Sequence, residues 1–282
     1  MTQDTYRRMV LDEWTDAGTV GAWRRWHPKI VVQQQLMKAA LLEHAGIRPG
    51  MRVLDLASGT GDPAIAIAGE IGDGHVTASD LSADFLRVCE DNAREAGRTN
   101  MTFKQADAES LPFADDSFDR VTSRLGVMYF VDAQRALKEI KRVLKPGGTA
   151  AFVAWGPAEA SPYFLCGIGP FMQRLSPPPP PADAPTPLRF AASGSLSREL
   201  GDAGYHRVRE EQRSVNLPWP GSPEELWQHL YDVAAPMRPL FDGLVPAERA
   251  QAVSEAVAAY NAYYDGSSVN VPAAIVVASG EK

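Results

Sequence analysis

The chemistry of this sequence is concentrated where carboxylates meet glycine. Asp55 lies in a short apolar run, Val53-Leu54-Asp55-Leu56-Ala57, which is followed at once by Ser58-Gly59-Thr60-Gly61 and then by Asp62 and Pro63. The run reads as a buried strand. Asp62 is placed to cap a helix, with Pro63 at its first position, where a missing N–H costs nothing. Strand, glycine turn and helix make the nucleotide-binding half-site of an open α/β sheet. Asp80 and Asp107, each at the end of a further short run, face the same crevice.

Two kinds of ligand suit such a turn. Gly59-Thr60-Gly61-Asp62-Pro63-Ala64 satisfies G-x-G-x-x-G/A, and Asp80 lies at about the right remove, so a dinucleotide-dependent dehydrogenase is one reading. The carboxylates favour another. Asp62 would sit where a dehydrogenase aims helix N–H groups at pyrophosphate, and charges about 4 Å apart near a protein surface interact by roughly 4 kcal/mol. An anion would be repelled, whereas a cation would not. S-adenosylmethionine (SAM) carries a sulfonium and an amino group and needs only close backbone approach. The D-x-A-x-G-x-G stretch from Asp55 to Gly61 resembles motif I of the class I SAM-dependent methyltransferases, with Ala57 where that family usually has glycine.

The elements that must position these residues alternate regularly. His75 to Asp80 reads as a second strand, Ser82 to Gly97 as its helix, and Met101 to Gln105 as a third strand. A carboxylate at Asp80 can accept both ribose hydroxyls, with Leu81 packing on adenine. The resemblance implies that Asp107, beside Ala108, meets the adenine amino group. Ala108-Glu109-Ser110-Leu111-Pro112-Phe113, closed by Phe118-Asp119, resembles the signature of the branch containing the ubiquinone and menaquinone C-methyltransferases, and Arg142 to Gly148 matches its RVLKPGG turn. Arg120 to Ser123 reads as strand four, delivering Ser123, Arg124 and Tyr129 to the cleft. That branch carries Arg-Asn where Met128-Tyr129 stand here. Thr149 to Trp155 reads as strand five, Arg207 to Leu217 as strand six, and Val269 to Ala278 as an antiparallel last strand. The expected fold is therefore α/β: a Rossmann-like, seven-stranded, mostly parallel sheet with helices on both faces, an N-terminal helical lid and a C-terminal helical cap insertion.

Outside the sheet, residues 1–45 read as a helical lid, with a second helix from Ile30 to His44 and a loop, Gly21 to Pro28, that holds Trp23, Trp26 and His27. The resemblance implies that this segment closes over the cofactor, and Trp23 can face the sulfonium. The SAM-binding core covers 46–156, a proline-rich insertion 157–190, and the rest of the core 191–282, with cap helices in 219–265. His27, Tyr129 and His229 are the candidate catalytic groups; Asp55, Ala57, Gly59, Thr60, Gly61, Asp80, Leu81, Asp107, Ala108, Ser123, Arg124 and Trp23 are the candidate cofactor contacts; no metal site is expected. A chain of 282 residues, 45% of them hydrophobic, can bury one large core. A net charge of −7 disfavours a nucleic-acid partner. Cys89 and Cys166, far apart, read as packed thiols, and the lack of a leader or long apolar run suggests a cytoplasmic protein. The expected partner is a small, partly apolar methyl acceptor taken at oxygen or carbon, and a homodimer is compatible with the sequence. A SAM-binding protein that catalyses a non-methylating, cyclase-like reaction is the other reading, beside the dehydrogenase.

Overall fold

The computed structural model describes residues 2–181 and 183–282. Met1, in the expected lid, and Ala182, in the expected insertion, lie outside the described residues. Seven strands form one sheet in the order β3-β2-β1-β4-β5-β7-β6. They are β1 (Arg52–Leu56), β2 (His75–Asp80), β3 (Met101–Gln105), β4 (Phe118–Arg124), β5 (Leu144–Trp155), β6 (His206–Trp219) and β7 (Val269–Glu281). The first five are parallel, and β7 runs antiparallel to both β5 and β6. The expected sheet is borne out, and the chain reverses direction between β3 and β4 about β1, opening a crevice at the strands' carboxyl ends.

Alternation along the strands sorts the core into layers. Leu54, Val121, Phe152 and Val276 face α6 (Ala133–Val143) and α9 (Ser195–Asp202). Val53 and Val76 face α4 (Ala64–Glu70), which shares the α/β stacking with α5 (Ala83–Glu95). On that same side, Val153, Ile275 and Val277 pack under α3 (Gln35–Ala45) and under a group of helices: α7 (Pro162–Gly167), α8 (Gly169–Leu175), α10 (Pro223–Val233), α11 (Arg238–Asp242) and α12 (Pro246–Asn261). Strands buried on both faces read as near-continuous apolar runs, which is why β1 and the second half of β5 are legible.

The N-terminal segment departs from expectation. α1 (Gln3–Thr15) is followed by α2 (Ala17–Gln33), which runs straight through the stretch expected as a loop, with Pro28 inside it. Trp23, Trp26, His27 and Ile30 recur at three- and four-residue spacing, so one helical face carries all of them inward, Ile30 fully buried and the others half-buried, and this packing outweighs the breakers Gly21 and Pro28. α3 ends at Gly46, whose φ of 61° supplies the left-handed cap. Asp62 and Pro63 also depart: α4 begins at Ala64 with Pro63 as a cap that makes no side-chain bond, and the Asp62 carboxylate is engaged elsewhere. No helix among the described residues is long and apolar enough to cross a membrane.

Candidate cofactor and acceptor site

The loop after β1 is held from three sides. Ser58 Oγ donates to Asp55 O at 2.8 Å and accepts from Ser79 N at 3.1 Å, tying the loop to both strands beneath it. Asn92 of α5 donates to Thr60 O at 2.8 Å, and His27 Nδ1 of α2 lies 2.8 Å from Thr60 Oγ1. The backbone takes positive φ at Ala57 (54°), Gly59 (52°) and Gly61 (110°). At Gly61 a side chain would also strike Ile65 Cδ1 at 2.5 Å. Ala57 therefore bears a strain that glycine would not.

Asp80, 8% exposed, closes this turn from β2. Its Oδ2 accepts from Gly59 N and its Oδ1 from Ser82 N, both at 2.9 Å. Burial raises its pKa above the usual aspartate value, and the Ser82 and Gly59 N–H groups oppose that rise. Asp107 spends Oδ1 on Glu109 N at 2.9 Å, the local turn bond open to any aspartate, while Oδ2 accepts from no described residue. Leu81 and Ala108 complete this wall of the cavity.

Asp62 lies between two cations. Lys38 Nζ donates to Oδ1 at 2.9 Å, and Arg124 donates to Oδ2 and, at 2.8 Å, to the backbone O. Arg124 and Lys38 hold the carboxyl below the usual aspartate range despite its burial. The argument that Asp62 repels a phosphate is therefore overturned: its charge is neutralised by partners from α3 and β4 that a local window of sequence does not show.

The structure brings Ala57, Gly59, Thr60, Asp80, Leu81, Asp107, Ala108, Arg124, Trp23, Tyr129 and His229 around one cavity, and leaves His27, Asp55, Gly61 and Ser123 off its lining. His27 is turned to Thr60. Asp55 is sealed under the loop, accepting from Thr122 Oγ1 at 2.7 Å, and burial raises its pKa to about 7. Ser123 sits behind Gly126, where a Cβ would lie 2.6 Å from Ser123 Oγ and 2.5 Å from Ala57 Cβ. Arg124 reaches the wall with its guanidinium already committed to Asp62.

The far end of the cavity is aromatic and apolar, built by Trp155, Tyr163, Phe164, Val233 and Met237 beside Met128. Tyr129 meets Trp14 edge-on with centroids 5.1 Å apart, and burial together with the nearby Glu13 raises its pKa. The roof is α2 clamped to α10: Trp23 Nε1 donates to Val233 O at 3.2 Å, Trp26 Nε1 to Asp232 Oδ2 at 2.9 Å, and Lys29 Nζ to Glu225 Oε2 at 2.6 Å. Arg7 of α1 pairs with buried Glu109, bringing α1 across the mouth. Trp14, Arg7 and Glu109 line the cavity without having been singled out from the sequence. Trp14 shares the helical spacing of Tyr6 and Val10 on α1, a pattern that marks a packed face and not a ligand contact.

A β3-β2-β1-β4-β5-β7-β6 sheet with antiparallel β7, a glycine turn after β1 and an aspartate ending β2 give the Rossmann-like fold found in methyltransferases. Residues 30–163 match the sequence model of the ubiE/COQ5 methyltransferase family, so the resemblance drawn from motif I and its companion turns is borne out over that segment. An uncharacterised protein of Mycobacterium tuberculosis is 37% identical over 162 residues, which are 57% of this chain and 56% of the relative. A ubiquinone/menaquinone biosynthesis C-methyltransferase of Shewanella sediminis is 42% identical over 116 residues, 40% of this chain and 46% of that protein. The chain thus spans about half the length of these curated relatives. Among solved structures, the YcgJ protein of Bacillus subtilis superimposes with a TM-score of 0.57 at 22% identity, covering 88% of this chain and 98% of that one. Phosphoethanolamine N-methyltransferase 2 of Haemonchus contortus gives 0.58 at 19% identity, over 97% of this chain and 59% of that one. At such identities these structures speak for the fold.

Proposed function

We propose that the chain is a SAM-dependent methyltransferase that moves a methyl group to an oxygen or carbon of a small, partly apolar metabolite without a metal ion. The observation that carries this reading is one continuous cavity with two unlike ends: carboxylates and turned backbone at the sheet edge, aromatic side chains under α10. The residues present fit the cofactor. Asp80 keeps a lone pair on each oxygen for ribose hydroxyls, and Asp107 Oδ2 is free for the adenine amino group. An added Cβ at Gly59 would meet nothing within 4 Å, so the backbone there is open to close approach. Leu81 covers one face of adenine.

When bound, SAM supplies an electrophilic methyl group on a sulfonium. The chain's own contribution is position and exclusion of water, which for aligned reactants is worth about 7–11 kcal/mol of barrier. Trp14 and Trp23, a ring pair with centroids 6.2 Å apart, line the cavity and would shield a bound sulfonium, with Trp14 Nε1 buried and without a partner among the described residues. We assign 1–45 as lid, 46–156 as cofactor core, 157–190 as insertion, and the helices of 219–265 as the cap that shapes the acceptor chamber.

Calorimetry with SAM, S-adenosylhomocysteine and NADH tests the cofactor, and tighter binding of NADH would overturn the reading. Mass spectrometry over a panel of small hydroxylated and carbonyl acceptors tests the reaction through the mass of one added methylene. A converted substrate without that increment would favour the non-methylating, cyclase-like alternative.

A further inference from the structure

The sheet ends on a strand that is bonded along one side only. β6 pairs with β7 and with no other strand. Among the described residues, no loop or helix bonds to its other backbone row between Arg209 and Leu217. A long open edge is a template for pairing with another chain, and proteins commonly blunt one with a bulge, a proline or a lysine. β6 carries such guards only near its ends, in a register shift between His206 and Arg209 and in Pro218. The stretch between them is regular.

Its charges are self-complementary. Glu211 and Arg213 flank Gln212 and share one face, because side chains alternate along a strand. When two copies of β6 pair antiparallel about a two-fold axis at Gln212, each Glu211 falls opposite the partner subunit's Arg213. Opposite charges that face each other across strands are favourable, and like charges are not. Other registers lose this match. An axis at Glu211 or Arg213 sets that residue against its own copy. One at Glu210 sets Arg207 against the partner subunit's Arg213, and one at Ser214 leaves Glu211 against the partner subunit's Leu217. Both side chains are within reach of a neighbour, Glu211 at 40% and Arg213 at 30% exposed. Intrachain bonds hold them beside the edge: His44 Nε2 lies 2.8 Å from Glu211 Oε1, and Arg213 donates to Glu43 at 2.8 Å.

Apolar surface continues from the edge. Leu36 is 43% exposed and, with Ala39 and Ala40, walls a groove whose other side runs from Arg213 to Asn216. Val32, just before it, is 41% exposed. A stable interface buries about 1,200 Å² or more, which a strand edge does not supply alone, and this strip extends the contact.

We propose that β6 is the interface between two copies of this chain, the two seven-stranded sheets joining edge to edge into one. Glu211 and Arg213 fix the register, and Leu36 is covered at the rim.

Sedimentation of the full chain over about 1–200 µM provides the test. The parent should be a dimer at the upper concentrations. Glu211→Arg and Arg213→Glu each place like charges face to face, and each should raise the dimer dissociation constant by at least about tenfold. Mixing the two variants restores both opposite-charge pairs, so a heterodimer should form with a constant within about threefold of the parent's. That rescue also excludes misfolding as the cause of dissociation. A parent that stays monomeric throughout, a dimer indifferent to Glu211→Arg, or a mixture of the two variants that stays monomeric overturns the proposal.

Discussion

Replacing Asp80 with alanine removes two things at once, and the structure lets them be separated. The carboxylate accepts from Gly59 N and Ser82 N at 2.9 Å each, keeps one lone pair per oxygen beyond those bonds, and lines the cavity. Hydrogen bonds to a charged group are worth about 1.5–3 kcal/mol each. Two lost ribose contacts therefore total about 3–6 kcal/mol, or roughly 10²–10⁴-fold in the dissociation constant of S-adenosylhomocysteine. The two orphaned N–H groups lower stability as well, by about 1–3 kcal/mol apiece if no water reaches them. Calorimetry with S-adenosylhomocysteine and with its 2′-deoxy analogue resolves the two effects. The parent chain should discriminate between these ligands by at least about tenfold, and Asp80→Ala should bind both with equal, weakened affinity. If loosening of the loop were the whole effect, the variant would still prefer the ribose form. Undiminished affinity in Asp80→Ala, or a parent indifferent to the missing hydroxyl, refutes the assignment of Asp80 to the ribose.

Three further outcomes follow from the same geometry. Gly126→Ala drives a Cβ to 2.5 Å from Ala57 Cβ and 2.6 Å from Ser123 Oγ, so it should cost about 1–3 kcal/mol of stability and weaken S-adenosylhomocysteine binding; adding Ala57→Gly relieves the first contact and should restore part of both, and a strictly additive double variant would refute that contact. Asp55→Asn should raise the melting temperature at pH 8 by about 2–6 °C and leave it unchanged at pH 4: a carboxyl raised to about 7 binds more protons folded than unfolded, so its cost develops as pH climbs through that window. His229 has the opposite sign, since a histidine lowered to about 3 binds fewer protons folded than unfolded. It removes stability as pH falls below about 6.5, and His229→Phe should flatten that acid limb in thermal melts taken from pH 7 down to 4.

The parallel part of the sheet was legible because its central strands, β1, β2, β4 and β5, are largely buried and alternate with helices, a pattern that local windows capture. The positions of Asp80 and Asp107 followed, since each closes a run whose direction the alternation fixes. Asp62 was not legible. Its cap role was a sound local expectation, but Lys38 lies 24 positions earlier and Arg124 62 later in sequence, and together they engage the carboxylate that would have capped α4. The stretch from Gly21 to Pro28 failed for a related reason. Gly21 and Pro28 are local breakers, whereas the stabilisation of α2 comes from Trp23 against Phe85 and Trp26 against Trp219, rings supplied by distant elements. His229 was singled out among the candidates; what sequence could not show is that both its nitrogens are buried without partners among the described residues.

Helix α2 touches both ligands' quarters. Through His27 it steadies Thr60 of the cofactor turn, and through Trp23, Trp26 and Lys29 it is fastened to α10. A single stiff rod resting on two supports cannot lift from one and stay seated on the other. Occupancy at one end therefore changes the work of filling the other, and thermodynamic reciprocity makes that influence equal in both directions. On the proposed reading, the nucleoside and the acceptor should change each other's affinity by the same factor, a coupling carried by one helix rather than by any group that handles the methyl.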